Sequence, residues 1–177
     1  MRELTDAARL RRFMQALGTE ADREGRVYFT GGATAVLLGW RPTTIDADIT
    51  IVPESDRLLR ALSRLKESLH MNVELASPAH FIPELPGWEG RSPFIAREGK
   101  LSFHHYDLYA QALAKIERGH ARDRQDVHEM LDRRLVDRER LRELFAQIEP
   151  ELYRYPALDP PSFRRAVAEA LGPPGPR

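Results

Sequence analysis

Val27-Tyr28-Phe29-Thr30-Gly31-Gly32-Ala33-Thr34-Ala35 and, with thirteen residues between it and Gly32, Asp46-Ala47-Asp48-Ile49 decide how this chain reads. Val27 to Thr30 is a short β-type run that ends on the glycine pair. A small apolar helix, Ala33 to Leu38, follows and Gly39 closes it. Trp40 to Thr44 is a loop, and a second strand runs from about Ile45 to Val52. On a strand, residues i and i+2 share a face, so Asp46 and Asp48 project together with Cα atoms about 6–7 Å apart. Carboxylates at that spacing can flank two cations about 3.5–4 Å apart, the arrangement used for in-line phosphoryl displacement. Magnesium suits them because it takes one or two carboxylates and completes its shell with phosphate oxygens and water. Gly31-Gly32 supplies a backbone that a phosphate can approach closely and that tolerates positive φ. The amides after it open a helix, which favours an anion.

Outward from this stretch, the pattern places a helix before it and mostly helices after it. Leu10, Phe13, Met14 and Leu17 follow helical spacing, with Thr5 as cap and Gly18 as stop. Pro53-Glu54-Ser55 starts the clearest helix, with Leu58, Leu62, Leu65 and Leu69 on one stripe. Met71 to Leu75 reads as a third strand, in which alternation turns Val73 and Leu75 to the core and Asn72 and Glu74 to the face of the acidic pair. Ser77 to Pro93, rich in proline and glycine, reads as a long loop. Phe94 to Ala96 and Leu101 to Tyr106 read as a hairpin turning at Glu98-Gly99. Helices are expected over about 108–118, 120–133 and 137–148. The fold class is therefore α+β: a mixed sheet of four or five strands with flanking helices and a helical C-terminal lobe. Residues 1–150 read as one domain, with a core over about 20–106 and the lobe over about 107–150. Residues 151–177 read as a proline-rich linker, a short helix and a loose tail.

Composition narrows the chemistry. With 177 residues, 42% of them hydrophobic, the chain can bury a core without staples. It has no cysteine, which excludes disulfides and zinc–thiolate sites. No run approaches the roughly 20 apolar residues of a membrane span, so the expectation is a cytoplasmic protein without a membrane partner. Lysine plus arginine equals aspartate plus glutamate at 27 each, which gives no support to tight non-specific nucleic-acid binding by the whole molecule. A local basic patch is left open.

Gly31-Gly32 with Asp46-Ala47-Asp48 resembles the signature of the polymerase-beta-like nucleotidyltransferase superfamily. The longer string through Arg41-Pro42-Thr43-Thr44-Ile45 is similar to the small bacterial branch of abortive-infection and toxin-type nucleotidyltransferases and their uncharacterised relatives. Lys115-Ile116-Glu117-Arg118-Gly119, with Arg122-Asp123 and Asp126-Val127, resembles that branch's lysine-then-Arg-Asp-x-x-Asp segment. The resemblance implies Asp46 and Asp48 as metal ligands and Gly31, Gly32 and Thr34 at the triphosphate. It implies Glu74 as third ligand or base, although the superfamily more often has aspartate there. Lys115 would contact the triphosphate and Asp126 would support it. The activity implied is magnesium-dependent transfer of a nucleoside monophosphate from a nucleoside triphosphate to an RNA, protein or small-molecule acceptor. Two ions take part, with manganese as an alternative, and a toxin-type member would have a partner antitoxin. The rival from another class is a degenerate member that binds a nucleotide or a protein without turnover.

Other chemistry-bearing residues read as structural. His104 and His105 are strand neighbours facing opposite ways, so they cannot chelate together. His128 lacks a second histidine four residues on, where Asp132 stands. Trp40 and Trp88 can stack on a base but more often seal packing.

Overall fold

The computed structural model describes residues 3–176. The chain forms two compact units, one made of residues up to Ser77 together with Ser92–Tyr106, the other of Pro78–Arg91 together with the residues from Asp107 on.

The first unit is a five-stranded mixed sheet with three helices. Its elements are α1 (Ala7–Glu20), β1 (Gly25–Thr30), α2 (Gly32–Leu38), β2 (Asp46–Val52), α3 (Asp56–Ser68), β3 (Asn72–Leu75), β4 (Phe94–Glu98) and β5 (Leu101–His105). Strand order is β3-β2-β1-β5-β4. β1 runs antiparallel to β2 and parallel to β5, and β3 runs parallel to β2. Alternation along β1, β2 and β5 sends Val27, Phe29, Ala47, Ile49, Leu101 and Phe103 to one face. There they form one core with Leu10, Phe13 and Leu17 of α1 and Leu58 and Leu62 of α3. The opposite alternation leaves Thr30, Asp46 and Asp48 on the other face, so the hydrophobic pattern that orients β1 and β2 also aims the acids.

Three local expectations are corrected. Asp6, not Thr5, caps α1, its Oδ1 accepting from the Arg9 amide at 2.8 Å. Thr5 instead exchanges backbone hydrogen bonds with Thr44. Gly18 does not stop α1, which continues to Glu20. It lets the helix touch the β4–β5 turn: a Cβ on Gly18 would lie 2.7 Å from the Cβ of Glu98 and even nearer its carbonyl oxygen. Gly18→Ala should therefore lower the free energy of unfolding by about 1–3 kcal/mol, read as a shifted urea midpoint. Leu75 does not face the core but is 52% exposed, being the last residue of an edge strand with a neighbour on one side only.

The second unit is helical, with α4 (Trp88–Arg91), α5 (Leu108–Arg118), α6 (Ala121–Asp132), α7 (Arg138–Ile148) and α8 (Pro160–Leu171). The span read as a loop contains α4 and a 3₁₀ turn at Pro78–His80. Its glycines and prolines mark real breaks, but Ile82, Leu85 and Trp88, three residues apart, are all buried. Arg91 anchors the segment by donating from Nε and Nη2 to Oδ2 of the fully buried Asp107 at 3.1 and 2.7 Å. Asp107 also caps α5 through the Tyr109 amide. Beyond residue 150, Leu152 is buried, and α8 buries Phe163, Val167 and Leu171. No helix among the described residues is long and apolar enough to cross a membrane.

Candidate nucleotide site

β2 contributes Asp46 and Asp48, both half-buried and on the same face, with Ala47 buried between them on the other. Sheet register extends this acidic line. Asp48 pairs with Thr30 on β1 and with Glu74 on β3, and Asp46 pairs with Asn72. Paired residues on adjacent strands share a face, so Thr30, Asp48 and Glu74 form one row and Asp46 and Asn72 the next. Asn72 ties the two rows together. Its Nδ2 donates to Asp46 Oδ1 in a short hydrogen bond and to Glu74 Oε1 at 3.1 Å. Glu74 is exposed, and the Thr30 hydroxyl is buried with no hydrogen-bond partner among the described residues.

The glycine bend closes on this line. Gly31 has φ +70° and caps α2. A Cβ there would stand 3.2 Å from Asp48 Oδ2. A Cβ on Gly32 would stand 2.8 Å from the Cβ of Thr44 and 3.4 Å from Arg41 Nη1. Glycine is required at Gly31 by backbone conformation and at Gly32 by close approach. Because α2 has only seven residues, the bend and its access to backbone matter more than a helix dipole.

The donor set fits magnesium. Two carboxylates on one strand face, beside backbone that a phosphate can approach, are what an ion sharing its shell with phosphate oxygens requires. Among the described residues no three His, Cys, Asp or Glu side chains form a ready-made metal cluster. The remaining coordination positions would thus come from substrate and water.

A family described as nucleotidyltransferase of unknown function, DUF6036, matches residues 7–159. The chain belongs to this family. No curated protein and no solved structure matched it.

Within this nucleotidyltransferase domain, the structure brings Asp46, Asp48, Glu74 and Gly31 together, with Gly32 next along the bend. Thr34 is placed differently. Its side chain is fully buried, and its hydroxyl donates to the Phe29 carbonyl at 3.3 Å and lies 3.1 Å from His105 Nδ1. With the Thr34 hydrogen given to Phe29, Nδ1–H is the donor in the second bond. Burial holds His105 neutral, with its pKa lowered to about 4, and His104 adds to the effect. An unfolded histidine titrates near 6.5, so the unfolded chain binds the extra proton between those values. Stability is therefore full above about pH 6.5 and falls as pH drops toward 4. The loss from His105 is about 2 kcal/mol between pH 7 and pH 5. Urea unfolding across that range should show the slope, and His105→Phe should flatten it.

Lys115 and Asp126 belong to the second unit, where they hold each other. The Lys115 amine donates to Asp126 Oδ2 at 2.7 Å and lies 3.7 Å from Asp123 Oδ1. All three residues are buried. For Asp123, burial alone would raise the pKa. Hydrogen bonds from Arg118, with Lys115 nearby, outweigh it and hold the carboxyl below its ordinary range. A cleft of about 520 Å³ runs along α5, α6 and α8, and Lys115, Arg124, Arg138 and Glu169 are among its lining. His104 stacks on Tyr28 with ring centroids 5.3 Å apart, and Trp88 is a packing residue.

Two members of the acidic surroundings were not assigned a part by sequence reasoning. Asn72 stood on the right face, but its bridge depends on the parallel register of β2 and β3. Arg41 stood in the motif string, but only the folded loop sets its guanidinium beside Gly32.

Proposed function

We propose that this domain transfers a nucleoside monophosphate from a nucleoside triphosphate to an acceptor on RNA, protein or a small molecule, releasing pyrophosphate. The observation that carries the reading is the contact between the glycine bend and the acidic strand: Asp48 Oδ2 lies 3.2 Å from where a side chain on Gly31 would begin. A phosphate resting on that bend would meet the carboxylates that hold its cations.

Asp46 and Asp48 would hold magnesium, or manganese, as two ions. When bound, these lower the pKa of the attacking group and neutralise charge on the leaving phosphates. The acceptor oxygen forms a bond to the α-phosphorus, the bond from that phosphorus to its bridging oxygen breaks, and pyrophosphate departs. The acceptor proton passes to Glu74, whose carboxylate is exposed on the same face. Asn72 keeps Asp46 and Glu74 oriented through its two hydrogen bonds. Gly31 and Gly32 admit the triphosphate to the backbone. Thr34 would contribute through its backbone, and Lys115 with Asp126 would support the second unit as a buried ion pair. Catalysis of this kind is mostly positioning and electrostatics.

The test is incubation with magnesium, each α-labelled triphosphate and candidate RNA and protein acceptors, read as label transfer and pyrophosphate release. Wild type should label an acceptor that Asp48→Asn leaves unlabelled; equal labelling by both counts against the reading. In cytoplasm, a toxin-type role predicts growth arrest on induction that Asp48→Asn lacks and that a co-expressed antitoxin relieves.

A second reading is supported by Asn72, whose amide already engages both Asp46 and Glu74. In that reading the domain binds nucleotide and does not turn it over. Calorimetric binding of a triphosphate without pyrophosphate release would favour it.

A further inference from the structure

We propose that Arg41 selects a triphosphate over shorter phosphate chains at this site, by holding the phosphates beyond the one transferred. This rests on the nucleotide reading of the acidic face and adds a specificity residue to it.

Two opposite charges meet consecutive glycines. The position of a Cβ on Gly31 lies 3.2 Å from the Asp48 carboxylate, and that of a Cβ on Gly32 lies against the Thr44 side chain, with Arg41 Nη1 next at 3.4 Å. Adjacent Cα atoms are about 3.8 Å apart, so acid and guanidinium flank neighbouring steps of one bend that carries no side chains of its own. A polyphosphate laid along that bend would have its reacting phosphate at the acidic end, whose carboxylates would hold its cations. Its remaining phosphates would extend toward the guanidinium. A monophosphate would fill only the first of these places.

The loop that carries Arg41 is fixed at both ends. The Trp40 amide donates to the Ala35 carbonyl at 3.1 Å, at the end of α2. Thr44 exchanges backbone hydrogen bonds with Thr5 at 2.8 and 2.9 Å, and its hydroxyl donates to the Asp46 carbonyl at 2.9 Å. Pro42 restricts Arg41 to extended backbone, and the side chain is half-buried. Arginine is the suitable residue for the task, because its planar fork donates to two phosphate oxygens at once and keeps its charge. The same charge would stabilise the departing pyrophosphate.

The experiment is calorimetric titration of the full chain with nucleoside triphosphate, diphosphate and monophosphate of one base. Calcium replaces magnesium to prevent turnover, and a thermal melt of each variant accompanies the titrations. Wild type should bind the triphosphate more tightly than the monophosphate. Arg41→Gln should weaken triphosphate binding about 10- to 100-fold and monophosphate binding by no more than about fivefold. Arg41→Lys should fall between, because it restores charge without the fork. A wild type that binds all three alike overturns the Arg41 proposal and leaves the nucleotide site standing. A wild type that binds none of them overturns both. If Arg41→Gln melts below the assay temperature, Arg41→Lys decides, and an unchanged triphosphate-to-monophosphate ratio in that variant overturns the proposal.

Discussion

Asp48→Asn should cut nucleotide transfer by about three orders of magnitude while leaving the domain folded. The carboxylate is the one that the glycine bend touches, and asparagine keeps its shape while removing the charge a divalent cation needs. Metal-held charge stabilisation is worth several kcal/mol at a transferring phosphoryl group, and each 1.36 kcal/mol is tenfold in rate. Folding should be spared because asparagine keeps the size and shape of the aspartate at a half-buried strand position. The melting temperature in the absence of metal should stay close to that of the wild type. Magnesium with triphosphate should raise the wild-type value through ligand linkage and leave that of the variant nearly unchanged. Transfer by Asp48→Asn within tenfold of wild type would remove Asp48 from the metal site.

Lys115→Ala should destabilise the second unit by about 3–5 kcal/mol, because it removes the cation from a buried ion pair. Asp126 is 1% exposed and loses the amine 2.7 Å away. Asp123 is spared the full cost because Arg118 donates to both of its oxygens, at 2.8 and 2.6 Å. Urea unfolding provides the measure, and a loss below about 1 kcal/mol would show that the pair is not a buried support. Removing both charges should cost less than removing one, so Lys115→Ala with Asp126→Ala should recover much of the stability. That double variant also separates the two roles of Lys115. If it folds well and still transfers nucleotide at the wild-type rate, Lys115 is not a triphosphate contact.

Much of the fold could be read from patterns that are local in the chain. Alternation in residues 27–30 and 46–52 set the strands and the side on which Asp46 and Asp48 stand. Leucine spacing after Ser55 and the order of late helices were legible for the same reason, since burial of one face forces a period. Misreadings fell where a residue's part depends on something distant. Gly18 looked like a stop because helices often end on glycine, yet it is small to admit Glu98, eighty residues later. The segment from Ser77 to Pro93 looked like loop by composition, but Trp88 and Arg91 give it an anchor whose partner, Asp107, lies beyond the hairpin.

The candidate site divides in the same way. Its acids and its glycines are determined by sequence alone, because a two-residue repeat and a missing side chain are properties of the chain itself. What only tertiary structure decided is which of them meet: Asn72 across a parallel register, Arg41 on a loop clamped to Thr5, Thr34 turned inward to His105, and Lys115 given to Asp126. Each of those contacts joins residues separated by at least nine positions, and no local periodicity encodes which distant partner a polar side chain will find.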